Sequence, residues 1–421
     1  MKTLLKNARI LKMTGEDIFI GEIAIENNKI TYVGKQTNDE KNFDKVIDCE
    51  LNLLMPTFKD AHCHTAMVFL RSKADDLPLQ EWLTTCCFPA EANLTGEDIY
   101  HLNKLGYLEY LSSGIGVNFD QYFFPKSIEK SSKDFGMRTV INLMPRKDFA
   151  EEELGKYFDD LNKENGLVSA IFGLHAEYTA SDAEVEQINR LVHKYKVPFF
   201  THLSETQREV KECFERRGVT PLEYFSQKGL FDFGGGIFHG IYLSDHDIEL
   251  LKKYILTVVT NPASNAKLAS GICEIEKLSK AGVNIAIGTD GAASNNALDM
   301  FREMYLVGAL SKLLNKDAAV TPADEILKMA TVNGARAMGL NNCDVLEVGK
   351  LADIIMIDLK QPNMQPIHNI VKNIVYAGSK SNIKMTMIDG KILYYNNQYF
   401  VNPSVEEIYE TANKVTKRLT K

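Results

Sequence analysis

The chain has 421 residues, 45% of them hydrophobic and 25% charged, with a net charge of −8. That length allows a large core and more than one unit, the composition is that of an ordinary soluble globular protein, and the acidic balance excludes a surface built for nucleic-acid phosphates. The apolar stretches "VSAIFGLHA" and "KYILTVVTN" fall far short of the ~20 residues a membrane helix needs, and the start "MKTLLKNARILKMTGED" lacks the pattern of a signal peptide.

Residues 1–55 alternate in short runs, "TLLKNARILKM", "IFIGEIAIENNKITYVG" and "KVIDCELNLLMP", broken by Gly and Asn-Asn. This predicts antiparallel strands. The middle of the chain, 56–344, places apolar, β-branched runs near 54–62, 115–120, 139–143, 168–174, 198–203, 237–241, 256–260 and 284–289. Helical patterns such as "SDAEVEQINRLVHKYK" lie between them. Eight strands alternating with helices predict an α/β fold, a (β/α)8 barrel. An open doubly wound sheet is the alternative, but no G-x-G-x-x-G follows the first strand. Strands return in "ADIIMIDL" and "IKMTMIDGKILYYNNQYFV", so residues 1–55 and 345–401 are expected to form one small β-sandwich domain from both termini. Residues 402–421 read as a Ser-capped C-terminal helix.

The stretch "DAHCH" carries His62 and His64 with the same strand parity, so both face one side and Cys63 faces the other. Two close imidazoles need a shared partner, commonly a metal ion. Of nine histidines, five sit at the same end of the predicted strands: His62 and His64 on the first, His175 on the fourth in "FGLHAEY", His202 on the fifth in "FFTHLSE", and His239 on the sixth in "GIFHGIY". Asp290 ends the eighth in "IAIGTDG". Chemistry on such barrels sits at the C-terminal strand ends. Imidazoles plus one carboxylate suit zinc or ferrous iron with a position left open for water, and His62, His64, His202 and Asp290 are the best four. The fourth strand offers His175 in place of a lysine that could bridge two metals, so a single ion is expected. His239 is either a fifth contact or a group beside the bound water. Glu205, three residues after His202, is either a helix N-terminal acid or a proton shuttle.

The long segment after the first strand holds the only tryptophan, Trp82, and Glu91. Trp82 is a flat wall for a planar ring or an anchor for the loop. "TNPASNAKLASG", after the seventh strand, reads as a structural turn. Seven cysteines without regular spacing suit reduced thiols in a cytoplasm better than a disulfide framework.

The motifs "DAHCH", "HAEYTAS", "THLSET", "HGIYLSD", "NPASNAKLASG" and "IGTDGAASNNALDMFREM" resemble the amidohydrolase superfamily. With "ADDLPLQEWL…FPAEANLT" they are similar to its 5-methylthioadenosine/S-adenosylhomocysteine deaminases. The resemblance implies a hydrolytic deaminase holding one divalent ion per subunit, zinc first, with iron or manganese as alternatives. It implies His62, His64, His202 and Asp290 as ligands, His239 beside the hydrolytic water, and Glu205 as the acid that protonates the ring. It also implies Glu91 on the ribose hydroxyls, His175 on the purine or ribose, and Trp82 as the aromatic wall. The implied substrates are 5′-substituted adenosines. A guanine, cytosine or chlorotriazine-type hydrolase would share the ligands, and a non-catalytic scaffold would have lost some of them. The chain departs from the family pattern at Lys59–Asp60, at Glu177, and in "GLVSAIFGL", which lacks an arginine. A carboxylate-bearing substrate calls for an arginine, and Arg146, just after the third strand, is the one candidate between Arg138 and Arg190. Monomer and homo-oligomer are both open.

Overall fold

The computed structural model describes residues 1–37, 39–73, 75–145, 150–163 and 166–420. Its centre is a ring of parallel strands in chain order: Phe58–His64, Ile115–Asp120, Arg138–Leu143, Val168–Ala176, Phe199–Leu203, Gly235–His239, Leu256–Thr260 and Asn284–Ile287, numbered here as barrel strands one to eight. The eighth is continued by the two-residue segment Asp290–Gly291. That segment pairs with the first strand, Asp290 beside Cys63 and Gly291 beside His64, and so closes the ring. Gly288 sits at the break. A Cβ there would lie 2.7 Å from the His62 carbonyl oxygen, so only glycine lets the closing strands approach.

Inward side chains fill the ring. Ala61, Phe119, Phe200, Phe238, Val259 and Ala286 belong to one buried cluster, and Phe119, Phe200 and Phe238 meet with ring centroids 5.1–5.7 Å apart. This plug lies beneath the histidines and keeps water from reaching them from below.

The second sheet is mixed and is built from both ends of the chain. Its order is Gln398–Tyr399, Lys391–Tyr395, Ile383–Ile388, Ile354–Ile357, Leu53–Pro56, Lys2–Ile10, Phe19–Glu26 and Lys29–Gly34, with Lys45–Asp48 also paired to Lys2–Ile10. Strand parity sorts its side chains. Leu54, Ile354 and Met356 enter a small core with Ile10 and Ile23, whereas Leu53, Met55, Ile355 and Ile357 join the large core around the barrel.

The apolar run 54–62 therefore serves two sheets rather than one strand. The switch lies at Thr57: its N–H goes to the Asp353 carbonyl, and the next, that of Phe58, goes to Gly114. A buried ion pair joins the two sheets at the same level. Arg138 at the start of the third barrel strand donates to both oxygens of Asp353, at 2.6 and 3.1 Å.

The C-terminal helix, Val405–Leu419, starts at Ser404, whose hydroxyl accepts the Glu407 N–H. It lies against the helix Gly96–Ser112, with Arg418 paired to Asp98. Among the described residues no helix is long and apolar enough to cross a membrane. All seven cysteines are free thiols.

Candidate active site

The strand ends bring His62, His64, His202 and Asp290 together, one donor atom from each lying within 4.8 Å of all the others. His64 Nε2 is 3.3 Å from both His202 Nε2 and Asp290 Oδ1, and His62 Nε2 is 3.6 Å from that same oxygen. Cys63 points the other way, its thiol buried beside the Phe119 carbonyl.

The surroundings aim each ligand. His64 Nδ1 donates to the Gln121 carbonyl at 2.5 Å, and His202 Nδ1 to the His175 carbonyl at 2.8 Å. A carbonyl only accepts, so each Nδ1 carries a proton and each Nε2 is aimed at the centre. His62 is stacked on Phe238 at 3.8 Å, is fully buried, and has no hydrogen-bond partner on either nitrogen among the described residues. Burial pushes His62 down to about 3 and His202 well below its ordinary value, so both rings are neutral. A buried orphan nitrogen is costly, and a cation at the centre would satisfy it. Burial would lower His64 as well, but the Asp290 carboxylate beside it outweighs that and raises it, so a cation would take the place of its proton. Three imidazole nitrogens and a carboxylate oxygen fit one divalent ion with an open position.

Asp290 has φ +58, which turns its side chain inward. Its outer oxygen, Oδ2, accepts from Ser264 Oγ at 2.5 Å and Ser294 Oγ at 3.0 Å, leaving Oδ1 to the histidines. The preceding residue, Thr289, is held by N–H and hydroxyl on the two oxygens of buried Asp60.

Glu205 and His239 form the next layer. Ser204 takes φ +55 at the end of the fifth strand, and the Glu209 carboxylate accepts the N–H groups of Ser204 and Glu205, each at 2.8 Å. Thr206 caps the following helix, Gln207–Arg217, so Glu209 is the acid in its first turn. Glu205 precedes the cap, and its carboxylate lines the cavity, accepting from Ser270 Oγ at 3.0 Å. His239 Nδ1 donates to Asn265 Oδ1 at 2.7 Å, which leaves Nε2 facing Glu205 Oε2 at 3.9 Å.

A cavity of about 350 Å³ opens above these groups. Its far wall comes from the segment after the first strand: Trp82 and Leu83, then Phe88 and Glu91. Trp82 is 5% exposed, and its indole N–H has no acceptor among the described residues. Tyr122 donates to Glu91 at 2.6 Å, and burial raises the Glu91 carboxyl above its usual range. His175 reaches the cavity with its ring on Thr179, and burial lowers it to about 4. Arg146 lies outside the described residues. Glu177, where the chain departs from the family pattern, pairs with Arg216 and Arg217.

The turn after the seventh strand contributes more than its sequence suggests. Ser264 holds Asp290, Asn265 holds His239, and Ser270 holds Glu205. Lys267 of the same turn reaches Asp75 at 2.5 Å, and Asn296 also meets both Lys267 and Asp75, tying down the segment that carries Trp82. The one available signal is that this run of Asn, Ser and Lys leaves a strand at the same mouth as the ligands.

The sequence matches the amidohydrolase family over residues 53–393. It is 36% identical over 431 residues to a protein of Thermoanaerobacter pseudethanolicus named 5-methylthioadenosine/S-adenosylhomocysteine deaminase, covering 100% of this chain and 99% of that relative. A protein of the same name from Thermococcus sibiricus is 38% identical over 404 residues, 93% of this chain and 94% of its own. Among solved structures, an adenosine deaminase from Xanthomonas campestris with bound zinc superposes at a TM-score of 0.91 and 30% identity, over 99% of this chain and 98% of that one.

Proposed function

The chain belongs to the amidohydrolase family, and from that premise we propose that it is a metal-dependent deaminase of 5′-substituted adenosines. Its substrates are 5-methylthioadenosine and S-adenosylhomocysteine, with adenosine a third candidate, and its products are the inosine analogues and ammonia. The observation that carries this reading is that one cavity holds three features together: the four-ligand group, an acid–imidazole pair beside it, and a far wall with an aromatic ring and a buried carboxylate. The names of the relatives support the substrate class. Free thiols suit a reducing compartment such as the cytoplasm.

His62, His64, His202 and Asp290 would hold the ion, and zinc is the first choice for this donor set. When bound, such an ion lowers the pKa of a coordinated water toward ~7 and so supplies a nucleophile at neutral pH. The protein's own groups move the protons. Asp290 Oδ1 accepts the proton of the attacking water, and His239 Nε2, with its Nδ1 proton fixed on Asn265, accepts a hydrogen bond from it. Water oxygen adds to the ring carbon that bears the amine. Glu205 delivers a proton to the adjacent ring nitrogen, so that no negative charge builds there. Asp290 passes its proton to the amine, the adduct hydroxyl returns a proton to Glu205 as its oxygen becomes the carbonyl, the carbon–nitrogen bond breaks, and ammonia leaves. Glu91 receives the ribose hydroxyls, while Trp82 and His175 bound the purine and sugar.

The test is ammonia release from a panel of purines, pyrimidines and nucleosides, before and after chelation. The expected result is turnover of 5′-substituted adenosines that stops on chelation and returns with zinc. Full turnover in a sample shown metal-free by elemental analysis would overturn the reading, as would preference for another heterocycle.

A further inference from the structure

Glu303 lies on the helix Met300–Asn315, fully buried, and does not line the cavity. Each of its oxygens accepts one hydrogen bond. Oε2 takes the Ala263 N–H at 3.0 Å, and Oε1 takes the Asn295 side-chain amide at 2.8 Å. Ala263 precedes Ser264 and Asn295 follows Ser294, and these serines are the two hydroxyls on Asp290 Oδ2. The second hydrogen of the Asn295 amide goes to the Thr289 carbonyl, next to Asp290 itself. One buried carboxyl group thus grips the backbone beside one serine and the side chain beside the other, from two loops that follow different strands.

We propose that Glu303 is a positioning residue for the metal centre. It acts through Ser264 and Ser294 to hold Asp290 Oδ2, so that Oδ1 stays aimed at the three histidines. Asp290 needs this external hold because its φ of +58 is a backbone conformation that carries its own cost. Groups that orient a metal ligand from behind matter for both affinity and turnover.

Glu303→Gln keeps the volume and one acceptor. Its NH2, which only donates, then faces a group that also only donates. Measured against zinc alone, with a competing chromogenic chelator, the variant should bind the ion ~10–100-fold more weakly than wild type. In protein saturated with zinc, kcat should fall ~10–100-fold while KM changes less than about threefold, because no substrate contact is lost. Ser264→Ala with Ser294→Ala should reproduce the zinc defect in wild type and add less than about threefold in the Glu303→Gln background, since all three act along one route. Unchanged zinc affinity in Glu303→Gln, or serine losses that multiply in full, would overturn the proposal. Should that variant not fold, Asn295→Ala removes one arm and leaves the acid in place; zinc affinity equal to wild type then overturns it as well. The inference rests on the metal reading above. Wild-type protein that takes up no zinc sinks both, whereas normal uptake by wild type and variant alike sinks this one alone.

Discussion

Glu205 and His239 face each other across 3.9 Å, carboxylate to imidazole, from the ends of adjacent barrel strands, and neither is one of the four ligands. The Glu205 carboxylate is held by Ser270 and its backbone by Glu209, so a Gln side chain can occupy the same place. Glu205→Gln should therefore leave metal content and folding unchanged and lower kcat by ~10²–10⁴, the usual range for losing a general acid–base. Elemental analysis beside steady-state rates checks this, and near wild-type turnover would leave Glu205 no chemical role.

Glu91 is paired with Tyr122 on the wall opposite the ligands. Glu91→Ala should raise KM for a nucleoside by a factor worth ~1.5–3 kcal/mol, the range for hydrogen bonds to a charged group. Free adenine, with no ribose, should be spared. Comparing the two substrates in both proteins decides it: equal losses would assign Glu91 to holding the loop.

A carboxylate on the 5′ substituent needs a partner, and Arg146 is the residue proposed for it. Arg146→Ala should lower kcat/KM for S-adenosylhomocysteine by ~1.5–3 kcal/mol and leave methylthioadenosine near its wild-type value. With at most one arginine clamp, wild type should process the neutral substrate at least as well. A strong wild-type preference for the homocysteine compound that survives the substitution places the tail elsewhere.

Arg138 and Asp353 concern stability rather than chemistry, since their pair lies where the barrel meets the terminal sheet. Burial alone would raise the Asp353 carboxyl, but the charge and hydrogen bonds of Arg138 outweigh it and hold the group below its ordinary value. A depressed carboxylate contributes stability that is present above the unfolded value of ~3.9 and is lost as pH falls through the folded one. Arg138→Met leaves a buried unpaired carboxylate and should cost ~3–5 kcal/mol at pH 7. Arg138→Met with Asp353→Leu should cost less than the single change and show a shallower loss of stability as pH falls from about 5 to about 3, the range around the unfolded carboxylate value. Urea unfolding across that range measures both; a double variant as acid-sensitive as wild type counts against the pair.

The ligands were legible because each strand ends its apolar run on a group that no core tolerates without a partner. His62, His64, His202 and Asp290 could be chosen from parity and position alone, and they meet within 4.8 Å. The division of residues 53–64 between two sheets was not legible. At Thr57 it depends on the Asp353 and Gly114 carbonyls, which local pattern does not report. Ser264, Asn265 and Ser270 were hidden for a related reason: hydroxyls and amides are the ordinary material of turns, and only the closed ring shows which side chains they hold.

The order of the terminal sheet sets a timetable for making the protein. Strand Leu53–Pro56 lies between Lys2–Ile10, made before it, and Ile354–Ile357, made about 300 residues later. At ~5–20 residues per second, one edge of that apolar strand waits roughly 15–60 s on the ribosome for its neighbour. An open edge recruits other strands, so the growing chain depends on shelter during that interval, and a product stopped short of Ile354 never closes the gap.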